Sequence, residues 1–181
     1  MKKVLLVACC FCLVISLSGC GGSSSIKKDV SFSLNAVING DIDDGYIYSI
    51  DLEGKSIPLL GDDALIRKIC NNASFKVTKI EQQGDEEATA TIKIKSPDIL
   101  QMMSLIAESG EVKDVNELLS ALETNLDSKF STKEYLVDIS LVLIDEHWFI
   151  IPNSELVNAL SGGLVKEYLI LERQMVDQLT Q

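Results

Sequence analysis

Residues 88–95 alternate strictly. Ala88, Ala90, Ile92 and Ile94 are apolar, and Thr89, Thr91, Lys93 and Lys95 are polar. That period predicts a half-buried strand with one face on a core and one in water. Phe75 to Glu81 predicts its partner, with Gln83-Gly84-Asp85 as the turn between them. A second hairpin follows later. Tyr135, Val137, Ile139, Leu141 and Leu143 line one face of a long strand, and Leu136, Asp138, Ser140, Val142 and Ile144 the other, which predicts partial cover on both sides. Asp145-Glu146-His147 turns the chain, Trp148-Phe149-Ile150-Ile151 returns it, and Pro152 ends the strand.

The remaining apolar positions follow helical spacing. Val30, Leu34, Val37 and Ile38 fit one helix face, although Val30, Phe32, Leu34 and Ala36 also alternate, so a strand is a rival there. Asn39-Gly40 stops this element and Asp41 caps the next, in which Ile42, Tyr46, Ile47 and Ile50 share a face. A third helix is expected from Asp62 or Asp63 to Asn71, with Leu65, Ile66, Ile69 and Cys70 inward. Ser96-Pro97-Asp98 reads as a helix start, with Ser96 the cap and Pro97 the first helical residue. Its apolar residues run from Ile99 to Ile106, and Ser109-Gly110 breaks it. Asp114 and Glu117 form a capping-box-like pair before the stripe Val115, Leu118, Leu119, Leu122 and Leu126. Asn153 or Ser154 caps a short helix through Leu160, closed by Gly162-Gly163. A last amphipathic helix carries Leu164, Tyr168, Leu171, Met175 and Leu179. The order is helices, hairpin, helix pair, hairpin, helices. Sequential hairpins imply antiparallel pairing, and segregated helices imply an α+β fold.

The N-terminus has a different texture. Met1-Lys2-Lys3 is basic, Val4 to Leu17 is nearly all apolar, and small residues follow. This is the layout of an export signal, and its apolar run is short for a membrane span, which needs about 20 residues. Leu17-Ser18-Gly19-Cys20 resembles the lipobox of bacterial lipoproteins. In that family a diacylglycerol is added to the Cys thiol and the signal is cut just before it. The resemblance assigns lipidation to Cys20, and divides the chain into a signal over 1–19, a lipidated Cys with a flexible Gly/Ser tether over 20–26, and one domain over 27–181. The expected location is the extracytoplasmic face of the cell membrane, held by lipid.

Composition sharpens this. The 181-residue chain carries a net charge of −11 with a sequence pI near 4.5. Loss of residues 1–19 removes Lys2 and Lys3 and no acid, so the mature charge becomes −13. Such a balance argues against a nucleic-acid partner, because phosphate neutralisation needs clustered Lys and Arg. Cys9, Cys10 and Cys12 leave with the signal and Cys20 takes the lipid. Cys70 is then the sole mature thiol, read as a small buried apolar residue, and no intramolecular disulfide can form.

A wider resemblance rests on Asn39-Gly40-Asp41, on Ala88-Thr89-Ala90-Thr91-Ile92 running into Pro97-Asp98, and on Trp148-Phe149-Ile150 before Asn153-Ser154-Glu155-Leu156-Val157-Asn158-Ala159-Leu160 and Gly162-Gly163. These resemble a group of bacterial lipoproteins of unknown function with a cystatin-like, nuclear-transport-factor-two-like domain, over most of residues 27–165. The resemblance implies a cone, in which a curved antiparallel sheet wraps helices. That superfamily holds both enzymes, such as ketosteroid isomerase and scytalone dehydratase, and non-catalytic binding modules. The helical insert at about 97–126 departs from the pattern and bears on any inherited pocket.

Candidate chemistry is sparse. Asp41-Ile42-Asp43-Asp44-Gly45 has the flavour of a calcium loop but places Gly45 at the fifth position and Leu52 at the twelfth, where oxygen ligands belong. Helix capping is the better reading, and no metal or cofactor site is expected. His147 sits at a turn, where histidines are usually solvated. Trp148 reads as sheet packing. Glu81, Asp85, Glu86 and Glu87 read as a solvated acidic turn. Asp138 is the one catalytic candidate. Buried, it would act as a base of the cone-fold isomerase type; exposed, it pairs across the strand with Lys93 or Lys95. The expected function is a non-enzymatic, membrane-anchored module that binds a protein, peptide or small apolar ligand, or serves envelope assembly. An enzyme using Asp138 is the rival. The C-terminal helix stripe is either core packing or a homodimer seam.

Overall fold

The computed structural model describes residues 22–41, 49–51, 53–55, 64–110, 114–128 and 130–166. The first helix, α1 (Gly22–Asn39), is seated by Ile26, Val30, Leu34 and Val37, all buried and spaced three or four residues apart. The strand alternative would have required Phe32 inside, and Phe32 is 47% exposed. The helix begins five residues earlier than expected and takes in Gly22–Ser25, which had the composition of a tether. Within the added turn the Ser25 hydroxyl donates to the Gly22 carbonyl at 3.0 Å, and Ile26 behind it is fully buried. Next in the chain come α2 (Ala64–Asn71), β1 (Ser74–Gln82), β2 (Glu87–Pro97), α3 (Ile99–Glu108), α4 (Val115–Asn125), β3 (Thr132–Ile144), β4 (His147–Ile151) and α5 (Ser154–Leu160). The four strands form one antiparallel sheet in the order β1-β2-β3-β4, open rather than closed into a barrel. The fold is α+β, with α3 and α4 inserted between β2 and β3 as the sequence predicts.

The inner face of the sheet is apolar. Ala88, Ala90, Ile92 and Ile94 of β2 stand beside Val137, Ile139 and Leu141 of β3 and Trp148 and Ile150 of β4, and all pack with α1 and α5 in one cluster. Each large aliphatic side chain removed from water here is worth about 1.5–3 kcal/mol. In β1 the apolar residues Phe75, Val77 and Ile80 break period 2. A bulge between Val77 and Lys79 corrects the phase, so that Val77 opposes Ile92 and Ile80 opposes Ala90. Thr78 at the bulge donates its hydroxyl to the Thr91 carbonyl at 2.9 Å.

A second cluster joins Ile69 of α2, Ile99 and Met102 of α3, and Leu122 and Leu126 at the end of α4. The Asp114 carboxylate caps α4 by accepting from the Glu117 N–H at 3.0 Å, as expected. The start of α3 differs from expectation. Ser96 and Pro97 stay in β2, opposite Lys133 and Thr132, and Asp98 is the cap. Ser96 is held in the strand because its buried hydroxyl donates to the Ala159 carbonyl at 2.8 Å. Pro97 fits as the last strand residue, where its fixed φ is tolerated.

Two further expectations change. Ile50 does not lie on a helix face. Ser49 and Ile150 form an isolated parallel bridge, and the Ile50 N–H donates to the Ile150 carbonyl at 3.1 Å. The partial cover expected on the outer face of β3 is found at Val142, which is half-buried, but not at Leu136, which is 71% exposed. Most of the outer face is solvated, and it carries a 2.7 Å Lys93–Glu134 ion pair. The expected residues Ile42, Tyr46 and Ile47, the start at Asp62 or Asp63, and most of the C-terminal helix with its dimer seam lie outside the described residues.

The Gly162-Gly163 pair ends α5 in a Schellman arrangement. The Gly163 N–H donates to the Asn158 carbonyl at 2.8 Å, and the Gly162 N–H to the Ala159 carbonyl at 3.3 Å. Gly162 has a φ of +66°, and a β-carbon on it would lie 2.4 Å from the Pro97 carbonyl oxygen and 2.6 Å from Ile99 Cγ1. Gly162→Ala is therefore expected to destabilise the domain by roughly 2–4 kcal/mol, the sum of backbone strain and overpacking against a rigid carbonyl. The shift in urea midpoint measures it.

Candidate functional site

The main candidate is an open cleft of about 580 Å³ beside the first half of β3. Its walls are Glu134, Tyr135, Leu136 and Val137 on one side, Ser154, Glu155 and Asn158 of α5 on the other, and Val165 and Lys166 beyond the glycine turn. The cleft follows from strand length. β4 is short and pairs with β3 only from Ser140 to Ile144. The Leu143 N–H donates to the Glu86 carbonyl at 2.8 Å, so odd-numbered residues of β3 address β2 and even-numbered ones address the other side. On that side the Asp138 carbonyl accepts from Asn153 Nδ2 at 2.8 Å. Nearer the strand start, no strand pairs with the backbone of Glu134 and Leu136 among the described residues.

Tyr135 forms part of the cleft floor. Its hydroxyl is buried without a hydrogen-bond partner, beside the point where a Gly163 β-carbon would stand. Burial, and then the charge of Asp98, push the phenol above its usual range. Lys133 Nζ lies 5.6 Å from the ring centroid.

The residues singled out in the sequence are dispersed. Asp138 is exposed on the outer sheet face, and Thr91 Oγ1 donates to it at 2.6 Å. Its register partner is Thr91 rather than Lys93 or Lys95, because Lys93 faces Leu136 and Lys95 faces Glu134. The requirement of a buried base is not met there. Asp85, Glu86 and Glu87 are exposed at the β1–β2 turn, and Glu81 pairs with Lys79 at 2.7 Å. Cys20 lies outside the described residues. Among those described, no group of three or more His, Cys, Asp or Glu is placed to hold a metal, and no helix is long and apolar enough to cross a membrane.

Two polar groups have structural work. Cys70 is buried, its Sγ–H donates to the Leu160 carbonyl at 3.4 Å, and burial pushes the thiol up from 9.0 to about 12. Asp29 was not anticipated. It is 8% exposed on the buried side of α1 and its Oδ2 accepts the Trp148 backbone N–H at 2.9 Å, with His147 Nδ1 3.8 Å away. Its signal in the sequence is position. Asp29 and Ser33 fall three residues after Ile26 and Val30 respectively, within the apolar stripe. Compared with family models, curated proteins and solved structures, the chain matches none.

Asp29→Ala is expected to cost about 2 kcal/mol, with a smaller loss for Asp29→Asn, which keeps an acceptor; denaturation midpoints measure both. The raised Cys70 value has a definite sign. Above pH 9.0 the unfolded thiol ionises while the folded one does not until about 12, so stability falls as pH rises through that window. Cys70→Ala should lose less stability than the parent between about pH 8 and pH 10, and alkylating reagents should label Cys70 only in the unfolded chain.

Proposed function

We propose that the protein is a lipid-anchored extracytoplasmic module that binds an extended polypeptide segment, without chemistry of its own. The observation that carries the binding half is the edge of β3 at Glu134 and Leu136, which no strand among the described residues pairs. Backbone groups at Glu134 and Leu136 face an open cleft whose opposite wall is the polar side of α5. An incoming extended chain satisfies such an edge by hydrogen bonding as an added strand, while side-chain pockets supply selectivity. Leu136 offers an apolar contact, and Glu155 and Lys166 offer charges of both signs. The anchoring half rests on Leu17-Ser18-Gly19-Cys20 behind its basic and apolar run. The cystatin-like, nuclear-transport-factor-two-like cone belongs to the same reading, supported by an antiparallel sheet with a helix across one face. An isomerase-like use of Asp138 draws no support from its exposed position.

Each half has its own test. Cys20→Ser should accumulate as an uncleaved precursor that takes up no fatty-acid probe, and acylation of that variant refutes the anchor. A photoreactive side chain at Leu136 should cross-link an envelope polypeptide, and the amides of Glu134 and Leu136 should slow in hydrogen exchange when that polypeptide is added. Exchange unchanged at both amides refutes strand addition.

A further inference from the structure

We propose that the turn end of the sheet is the surface that meets the bilayer, and that the β3 cleft points away from it. This rests on the lipid-anchor reading and adds an orientation to it. Three observations place the anchor. Helix α1 begins at Gly22, two residues after Cys20, so the lipidated residue lies within about 7 Å of the helix start. Gly22 abuts the end of β1, since a β-carbon on it would lie 2.6 Å from Gln82 Oε1. The helix is not a swinging arm, because Ile26 and Val30 are fully buried and the Asp29 carboxylate is bonded to the Trp148 N–H at the start of β4.

Gln82, Glu86 and Trp148 all sit at one end of the sheet. There the β1–β2 and β3–β4 turns lie side by side, joined by the Leu143–Glu86 hydrogen bond. From Leu143 to Glu134, β3 runs about 30 Å at roughly 3.4 Å per residue. α1 runs the same way, and its last turn reaches the β1 start, where Asn71 donates to the Ile38 carbonyl at 2.6 Å once its amide is oriented to suit. The cleft therefore lies at the opposite end from the anchor.

The charges at this end oppose contact with an anionic bilayer rather than create it. Asp85, Glu86, Glu87, Asp145 and Glu146 are all exposed at the turn end. Anionic headgroups repel them within a Debye length of about 8 Å, so the covalent lipid and not surface attraction holds this end down. The exposed Lys27 and Lys28 near the helix start oppose part of that repulsion.

The test uses the lipidated protein in phosphatidylcholine–phosphatidylglycerol vesicles carrying a headgroup quencher. Single thiols are introduced as Asp85→Cys at the turn, Leu136→Cys at the cleft and Lys93→Cys on the sheet face, and each is labelled with a fluorophore. The buried Cys70 stays unlabelled. The probe at position 85 should lose most of its emission, and those at 93 and 136 should keep theirs. Equal quenching at all three positions, or stronger quenching at 93 or 136, overturns the orientation. Intact mass separates the two proposals. An acylated protein with equal quenching refutes the orientation alone, whereas a protein without acyl mass refutes the anchor and the orientation together.

Discussion

Everything in this domain depends on covering the inner face of a four-stranded sheet that cannot close on itself. An open antiparallel sheet with Ile92, Ile94, Ile139 and Ile150 on one side is insoluble until something apolar lies across it. α1 supplies that cover, and α5 extends it. One polar interaction fixes where α1 lies. A carboxylate within its apolar stripe reaches the Trp148 N–H on the outer edge of β4, which would otherwise be a buried donor without a partner. The Ile50 N–H serves the next carbonyl on that edge, at Ile150. One flank of the sheet is thus sealed by α1 and residues 49–50, while among the described residues no strand pairs with the first half of β3 on that side.

That asymmetry links packing to the functional reading. An edge is hazardous when long, flat and apolar, and tolerable when short and flanked by charge. The open part of β3 carries Lys133 and Glu134 and is stopped at Asp138 by the Asn153 amide. What remains unpaired there, among the described residues, is short and flanked by charge. Val165 and Lys166 reach the cleft beyond Gly162, which passes against the Pro97 carbonyl, a path closed to any residue with a side chain.

Much of the fold was legible in the sequence. The alternation at 88–95, the long apolar strand, the Asp114 cap and the glycine pair all report local physics that tertiary structure leaves in place. The misreadings have specific causes. Ser96-Pro97 has the composition of a helix start, but a buried hydroxyl bond to Ala159, 63 residues away, keeps both in the strand. Ile50 looked helical because spacing alone cannot reveal a bridge to Ile150. Leu136 was expected on a partly covered face, because an apolar residue in a strand does not announce which layers pack on it. The candidate site was largely illegible. A cleft created by the mismatch between a thirteen-residue strand and a five-residue neighbour exists only in three dimensions, and Asp138 drew notice for a burial it does not have.

The bond between Asp29 and Trp148 spans 119 residues of sequence. Its two halves are therefore synthesised far apart in time, the helix near the beginning and its strand near the end. Loop closure over such a distance is slow, and the apolar stripe of α1 has no sheet to cover until β4 is available. The architecture postpones its own completion until nearly the whole polypeptide is available.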